Sequence, residues 1–530
     1  MPEKRFDRVS KSCYKLGGNA SPDRKKLPGF TAKKDLSMKV LLAGFNLDYE
    51  TIRELEKKSG MEEPLTPETI SAAYARISRN PLPVNELRDI SRREVNKARK
   101  SNETIVFDMG HSSVAEHAVF NIDVIGVSRL IVEEIEKFRL CSYTEKSQRY
   151  IRLEDDFVIP AEIRGSGLEK PFRETIQKQN AFYHVIYQGL RSHVFARHGD
   201  LAANPANHSM LDGWAKEDAR YVVSLATETQ LGMTLNARNL ELMLRRAASH
   251  PLREVNDYGR QLYGVAKHVA PSLVRYTDAT AFDRLRGNEL AQAAARLTQS
   301  CGHEGAACAP PANDECVTLA FATPEGDECI VASLLHTSTA LPFGQCMARA
   351  RGMSRAEKES LLQTSMRHME SYDLPPREFE RASLTYEMVI SASCFAQLKR
   401  HRMATILSQD YDPTLGVTIP PAVRDIGMDD RFMELMHETH RVYDSMRQTC
   451  PEVSAYVLTN AHRKRVSCTI NVRELYHISR LREDRSAQWD IRETARHMVS
   501  LGRTVMPLAL MLASGKDEFP RLRAEIIHQD

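Results

Sequence analysis

Apolar and polar residues alternate in two widely separated stretches of this chain, Val119-Phe120-Asn121-Ile122-Asp123-Val124-Ile125 and Leu384-Thr385-Tyr386-Glu387-Met388-Val389-Ile390. A period of two marks a half-buried strand. Each run leads into a segment of helical spacing, residues 128–139 in the first case and a helix ending at Arg400 in the second. Polar loops flank them: residues 111–117 and 142–150 around the first, and 401–415 after the second. A strand and helix that hold polar loops together provide a rigid frame for a site.

The rest of the pattern repeats this plan. Met38-Lys39-Val40-Leu41-Leu42-Ala43-Gly44-Phe45 predicts a first strand, followed by helical stretches at 49–58, 67–78, 169–193 and 212–225. After the breaker Ala309-Pro310-Pro311, residues 317–321 and 328–335 restart the sequence of elements around the turn Thr323-Pro324-Glu325-Gly326-Asp327. Thr234-Leu235-Asn236-Ala237-Arg238 is echoed by Thr469-Ile470-Asn471-Val472-Arg473, and a helix follows each. The expected organisation is a basic disordered tail (1–37), a first domain (38–285), a linker (286–315) and a diverged second copy (316–530).

Composition narrows the class. With 530 residues, 42% hydrophobic, 27% charged and a mean hydropathy of -0.42, the chain describes a soluble multidomain protein. Its longest apolar run, residues 505–513, is too short for a membrane span. A net charge of +3 is low for a nucleic-acid binder and compatible with a small anionic ligand. The ten cysteines are scattered singly, which predicts a reduced, cytoplasmic protein. Cys301, His303, Cys308 and Cys316 lack a paired C-x2-C knuckle, so no metal site is expected there.

Several motifs resemble those of the flavin-dependent thymidylate synthases, the ThyX family. In the first copy they are His111-x5-His117 with Glu116, Ser128-Arg129, Ser142-x2-Glu145-x-Ser147-x-Arg149-Tyr150, Glu217-Asp218-Ala219-Arg220-Tyr221 and Asn236-Ala237-Arg238. In the second they are Gln397-x2-Arg400-His401-Arg402, Asn471-x-Arg473-Glu474-Leu475, and Arg482 with Ala487-Gln488-Trp489-Asp490-Ile491-Arg492. The resemblance implies an α+β fold of two tandem ThyX-like domains, each a mainly antiparallel sheet with flanking helices.

Neither copy keeps the family signature of Arg-His-Arg, seven residues, then Ser. The first reads Lys137-Phe138-Arg139 before Ser147; the second keeps Arg400-His401-Arg402 but arrives at Asp410. Glu134 stands where the second copy has Gln397, and Ala455 where the first has Arg220. Arg246 lies one residue out of register with Arg482, and residues 374–380 replace the His-x5-His loop. The losses are complementary, which predicts one composite site between the copies and one dead site.

By that resemblance dUMP would contact Gln397, Arg400 and Arg482 from the second copy, and Glu145, Ser147, Gln148, Arg149 and Arg220 from the first. Arg482 would be catalytic, stabilising an ionised uracil edge. FAD would lie against Ser113, Glu145, Asn236, Arg400, His401, Arg402, Asn471 and His477. The roles of His111 and His117, ligand contact or structural, stay open. The implied reaction methylates dUMP to dTMP with methylenetetrahydrofolate as carbon donor and NADPH as reductant. Alternatives are C5 modification of another pyrimidine nucleotide, or a non-catalytic flavin- or nucleotide-binding protein. The expected partners are small nucleotides and folate, with no nucleic acid and no membrane, in a homodimer equivalent to a family tetramer.

Overall fold

The computed structural model describes residues 38–47, 49–57, 66–77, 80–149, 153, 155–299 and 316–527. The expected disordered tail, Tyr150, and Cys301, His303 and Cys308 lie outside the described residues.

The first domain contains β1 (Lys39–Phe45), β2 (Val119–Ser128), α1 (Arg129–Ile135), β3 (Ser142–Glu145), α2 (Glu169–Arg197), α3 (His208–Ala219), β4 (Glu228–Asn236), α4 (Ala237–Ala248), α5 (Arg253–Ala266) and α6 (Ala281–Gln299). Its sheet has the order β1-β2-β4-β3, antiparallel throughout. The second domain contains β5 (Val317–Ala322), α7 (Gly326–Ser338), β6 (Ser383–Ser391), α8 (Ala392–Leu398), β7 (Thr405–Tyr411), α9 (Asp429–Thr449), β8 (Arg463–Asn471), α10 (Val472–Arg482) and α11 (Trp489–Val505). Its sheet order, β5-β6-β8-β7, is the same plan again.

The alternating runs form the central strands because Phe120, Ile122 and Val124, like Leu384, Tyr386 and Met388, are buried on one face of each sheet. Serine and asparagine side chains start the helices that follow. Ser128 accepts from the Ile131 amide (3.3 Å) and Ser391 from the Cys394 amide (3.0 Å). Asn236 accepts from the Asn239 amide (2.9 Å) and Asn471 from the Glu474 amide (2.8 Å). Such caps satisfy orphan N–H groups of the first turn. They also fix equivalent positions in the two copies.

The structure corrects several expectations. The stretches 142–150 and 401–415 are not simply loops, because each contributes an edge strand, β3 and β7. Their residues are mostly polar, and pairing with β4 and β8 through the backbone leaves no clear alternation to read. Helix α1 stops at Ile135 rather than continuing to Arg139. Arg220–Val222 form a 3-10 turn beyond α3, where the helical spacing extends to Leu225. The polar helices Val84–Arg93 and Val95–Glu103 had no expected counterpart. Residues 286–316 read in the sequence as a helix fading into a linker; helix α6 occupies their described start, and its Asp283 is buried against Arg245 and Arg246. Among the described residues no helix is long and apolar enough to cross a membrane.

The two copies meet across an approximate dyad. Leu225 N donates to Leu458 O (2.7 Å) and Asn460 N to Val223 O (3.0 Å). Ala226 N donates to Tyr456 O and Ala461 N to Tyr221 O, both at 3.0 Å. Side chains repeat the symmetry. Glu254 accepts from the Ser128 and Tyr456 hydroxyls at 2.8 and 2.6 Å, and Asp490 from the Ser391 and Tyr221 hydroxyls at 2.5 and 2.8 Å. One apolar cluster continues across this junction, from Val127 and Leu225 to Val453 and Leu458.

Trp489 Nε1 crosses the junction to donate to Asp218 Oδ1 (2.8 Å). Desolvation pushes the Asp218 carboxyl up to about 7. Its folded value lies above the unfolded one, so its contribution to stability is full below about pH 4 and is lost as pH rises towards 7. Asp218→Asn keeps an acceptor and removes the charge. We expect the stability of wild type relative to this variant to fall by roughly 2–4 kcal/mol between about pH 4 and 7, measured by urea unfolding. A pH-independent difference would rule this out.

Candidate functional site

The end of β3 faces α8 and α10 of the other copy. Glu145 closes β3 with its side chain 1% exposed, and it pairs with two guanidiniums, Arg129 of its own domain and Arg400 of the other at 3.2 Å. A carboxylate this dry is tolerable only because it is paired. Beyond it, Ser147 Oγ accepts from the Arg149 amide (3.2 Å), turning the chain so that Arg149 pairs with Glu217. Arg149 also donates to Ser486 O of the second domain (3.0 Å).

Arg220, at the start of the 3-10 turn, is buried and donates through Nη2 to Ser393 Oγ on α8 (2.7 Å). Asn460 Nδ2 donates to Gln148 Oε1 (3.1 Å) and to Arg220 O (2.9 Å). Gln397 Nε2 donates to Gln488 Oε1 (3.2 Å). Three buried polar atoms of this group, Arg220 Nε, Gln148 Nε2 and Gln397 Oε1, have no hydrogen-bond partner. Unsatisfied buried groups are costly and mark places where a ligand can supply the partner.

Arg482 ends α10. Its Nη2 donates to Gln397 O (3.1 Å) and its Nε to His401 Nε2 (2.9 Å). Desolvation and the neighbouring Arg400 and Arg149 pull its pKa down to about 10. Burial, with Arg482 and His477 beside it, pushes His401 well below the ordinary histidine value. The imidazole is therefore neutral, with its lone pair on Nε2 towards Arg482 and its proton on Nδ1. Nδ1 lies 3.3 Å from Glu474 Oε1, off the line of a formed hydrogen bond. His401, Glu474 and His477 bring three ligand-type atoms within 4.8 Å of one another. The Arg482 cation on the same imidazole opposes a metal ion there.

Eight expected residues, Glu145, Gln148, Arg149, Arg220, Gln397, Arg400, His401 and Arg482, are thus linked across the domain junction, with Ser147 and His477 beside them. Arg402 is adjacent but turned towards the carbonyls of Arg139 (3.3 Å) and Cys141. Asn236 is not brought in. Leu231 faces Glu145, and Asn236 lies five residues further along β4, about 17 Å away at strand spacing. Ser113 sits exposed on a 3-10 turn, Ser112–His117, at that same end of the sheet. Asn471 caps α10 at the end opposite Arg482. His117 packs its ring edge-on against Tyr74 at 4.6 Å.

Sequence reasoning passed over Glu217, Ser393, Asn460, Glu474 and Gln488 as site residues. Glu217, Glu474 and Gln488 lie inside the motifs already quoted and could have been found there. Ser393 and Asn460 carry no motif, and only the dyad brings them to Arg220.

The dyad-related cleft has different chemistry. Counted from the capping serines, Lys137 replaces Arg400, Glu134 replaces Gln397, Asp410 replaces Ser147 and Asp412 replaces Arg149. Lys137 is paired with Glu134 (2.6 Å), and Lys464 with Glu133 (3.2 Å). Asp412 caps its own turn through the Thr414 amide (2.9 Å). These residues and Ala455 line a cavity of about 620 Å³. Its two lysines are already neutralised, and carboxylates stand where the first cleft has a hydroxyl and a guanidinium.

Comparison with known proteins follows the same division. The family model described as "Thymidylate synthase complementing protein" matches residues 61–272 and again 318–508, one match in each copy. A flavin-dependent thymidylate synthase from Clostridium tetani is 29% identical over 41% of this chain and 84% of its own length. A UPF0159 protein, Ta1429, from Thermoplasma acidophilum is 22% identical over 83% of this chain and 95% of its own, so it shares the two-copy length. A solved UMP/dUMP methylase PolB from Streptomyces cacaoi is 18% identical with a TM-score of 0.31, over 45% of this chain and 93% of that one. Matched over most of its length and in both of its copies, the chain belongs to the thymidylate synthase complementing protein family.

Proposed function

We propose that the protein is a flavin-dependent enzyme that methylates dUMP to dTMP at one composite site, using methylenetetrahydrofolate as carbon donor and NADPH as reductant. The observation that carries this reading is the asymmetry of the two clefts. One collects Arg149, Arg220, Arg400 and Arg482 from both copies, whereas the other has the carboxylates Asp410 and Asp412 at the places of Ser147 and Arg149 and its two lysines paired with Glu134 and Glu133.

Arginine suits a nucleotide phosphate because its planar, permanently charged fork can meet two oxygens at once. Arg149, Arg220 and Arg400 would take the phosphate, with Ser147 as a hydroxyl donor. The unpartnered amide atoms of Gln148 and Gln397 fit the donors and acceptors of a pyrimidine ring and sugar. Arg482, held by His401 and Gln397, would face the uracil edge and favour its anionic form. Bound FAD would supply the hydride chemistry. His401 and His477 would hold the flavin in the second copy, with Glu145 and Arg400 at its border, whereas Arg402 is turned towards the carbonyls of Arg139 and Cys141. The buried, neutral His401 fits a flat ring better than a charged imidazolium would. Ser113, Asn236 and Asn471 lie further out and would reach only an extended part of the dinucleotide.

Expression in a thymidine auxotroph tests the reaction. Growth without thymidine is expected. Failure to grow with soluble, FAD-loaded protein in the cells would overturn the dUMP assignment.

A further inference from the structure

A cavity of about 810 Å³ opens beside α1, α4 and α5 of the first domain. Its place follows from the two capping asparagines. Counted from Asn236 and Asn471, Asn239 corresponds to Glu474, Leu242 to His477 and Ala247 to Arg482; from the capping serines, Phe138 corresponds to His401. The cavity is therefore the dyad mate of the His401–His477–Arg482 ledge, with every reactive group replaced. At Ala247, α5 packs Gly259 close against α4. A Cβ on Gly259 would lie 2.6 Å from the Ala247 Cβ. Arg246, one residue away, is occupied by Asp283 at 2.7 Å.

What remains is an apolar pocket with a cationic rim. Phe138, Leu242, Met243 and Tyr258 line it, and Arg139, Arg286 and Arg402 stand around it. Among the described residues none of these three guanidiniums has a carboxylate within ion-pair distance. Arg286 lies over the Phe282 ring, and Arg139 and Arg402 reach only backbone carbonyls. Unpaired cations around an apolar hollow fit a ligand with an aromatic body and an anionic end, since the rim gains charge neutralisation while the body leaves water.

We propose that this pocket is a second ligand site that binds an aromatic anion without transforming it. The proposal does not depend on the dUMP reading. It also accounts for why the decayed copy keeps an open cavity where its chemistry has gone.

The probe is 1-anilinonaphthalene-8-sulfonate, an aromatic body with a single anion, titrated by fluorescence into the full-length protein. Saturable binding of one probe per chain is expected, weakened at least tenfold by Arg286→Glu and by Leu242→Glu. Arg286 is on the exposed face of α6 and Leu242 is 36% exposed, so neither change empties a core position. Leu290→Lys, on the same helix but outside the pocket, should leave binding unchanged. Arg482→Ala should also leave it unchanged, which separates this site from the composite one. Non-saturating fluorescence, or binding insensitive to Arg286→Glu and Leu242→Glu, would mean an adventitious additive only and would overturn the proposal. Loss through Leu290→Lys would do the same by moving the probe to the helix surface.

Discussion

Arg482→Ala should lower turnover by about 10²–10³-fold with little change in the unfolding midpoint, the range for removing one preorganised electrostatic donor. The arginine is aimed by two fixed acceptors, Gln397 O at 3.1 Å and His401 Nε2 at 2.9 Å. His401 accepts through Nε2, and burial favours the neutral imidazole that this requires. Arg482→Lys should recover little, since an ammonium cannot keep both contacts and still present a planar edge. Lys137→Ala and Asp410→Ala, in the other cleft, should change turnover less than about threefold, because their groups lie in the dyad-related cleft. Steady-state kinetics of the four variants checks the asymmetry. Equal losses in all of them would mean that both clefts work, or that neither does.

The second large effect concerns stability. Glu254 accepts three bonds, from the Ser128 amide (2.7 Å), the Ser128 hydroxyl (2.8 Å) and the Tyr456 hydroxyl (2.6 Å). All three donors are in a dry junction between the copies. Glu254→Ala would leave them unsatisfied at once, at about 1–3 kcal/mol for each buried group before relaxation. We expect a net loss of about 3–5 kcal/mol in urea unfolding. Tyr456→Phe removes one bond only and should cost about 1–2 kcal/mol. The two changes should be non-additive, because they share a contact. The dyad mate, Asp490→Ala, should destabilise similarly and also reduce activity. Tyr221, which donates to Asp490, accepts from Gln488, and Gln488 in turn accepts from Gln397. If Glu254→Ala and Asp490→Ala impair turnover equally, the clefts are not functionally distinct.

Legibility in the sequence depended on how each element is stabilised. The central strands β2 and β6 could be read because burying one face imposes a period of two on their residues. The starts of α4 and α10 could be read because an asparagine cap uses a specific side chain at a specific place. Strands β3 and β7 could not, because their runs are mostly polar, unlike the apolar edge strands β1 and β5, and show no clear alternation. The candidate site divides in the same way. Arg149, Arg220, Arg400 and Arg482 stand in motifs whose resemblance named them. Ser393 and Asn460, which hold Arg220 and Gln148 in place, stand in no motif.

The sequence alone determined the two-copy plan, the family resemblance, and the complementary losses that leave one set of arginines divided between the copies. These are properties of residue order and survive in a string. The tertiary structure decided which groups meet. It placed Glu145 between Arg129 and Arg400, neutralised His401 by burying it beside Arg482, and turned the first copy's counterpart into an apolar pocket. The dyad contacts between residues 221–226 and 456–461 bring Arg400 to Glu145, whereas His401 and Arg482 meet within the second copy. Charge pairing and burial depend on distance in space, and residues more than 200 positions apart in the chain acquire that distance only when the copies pack.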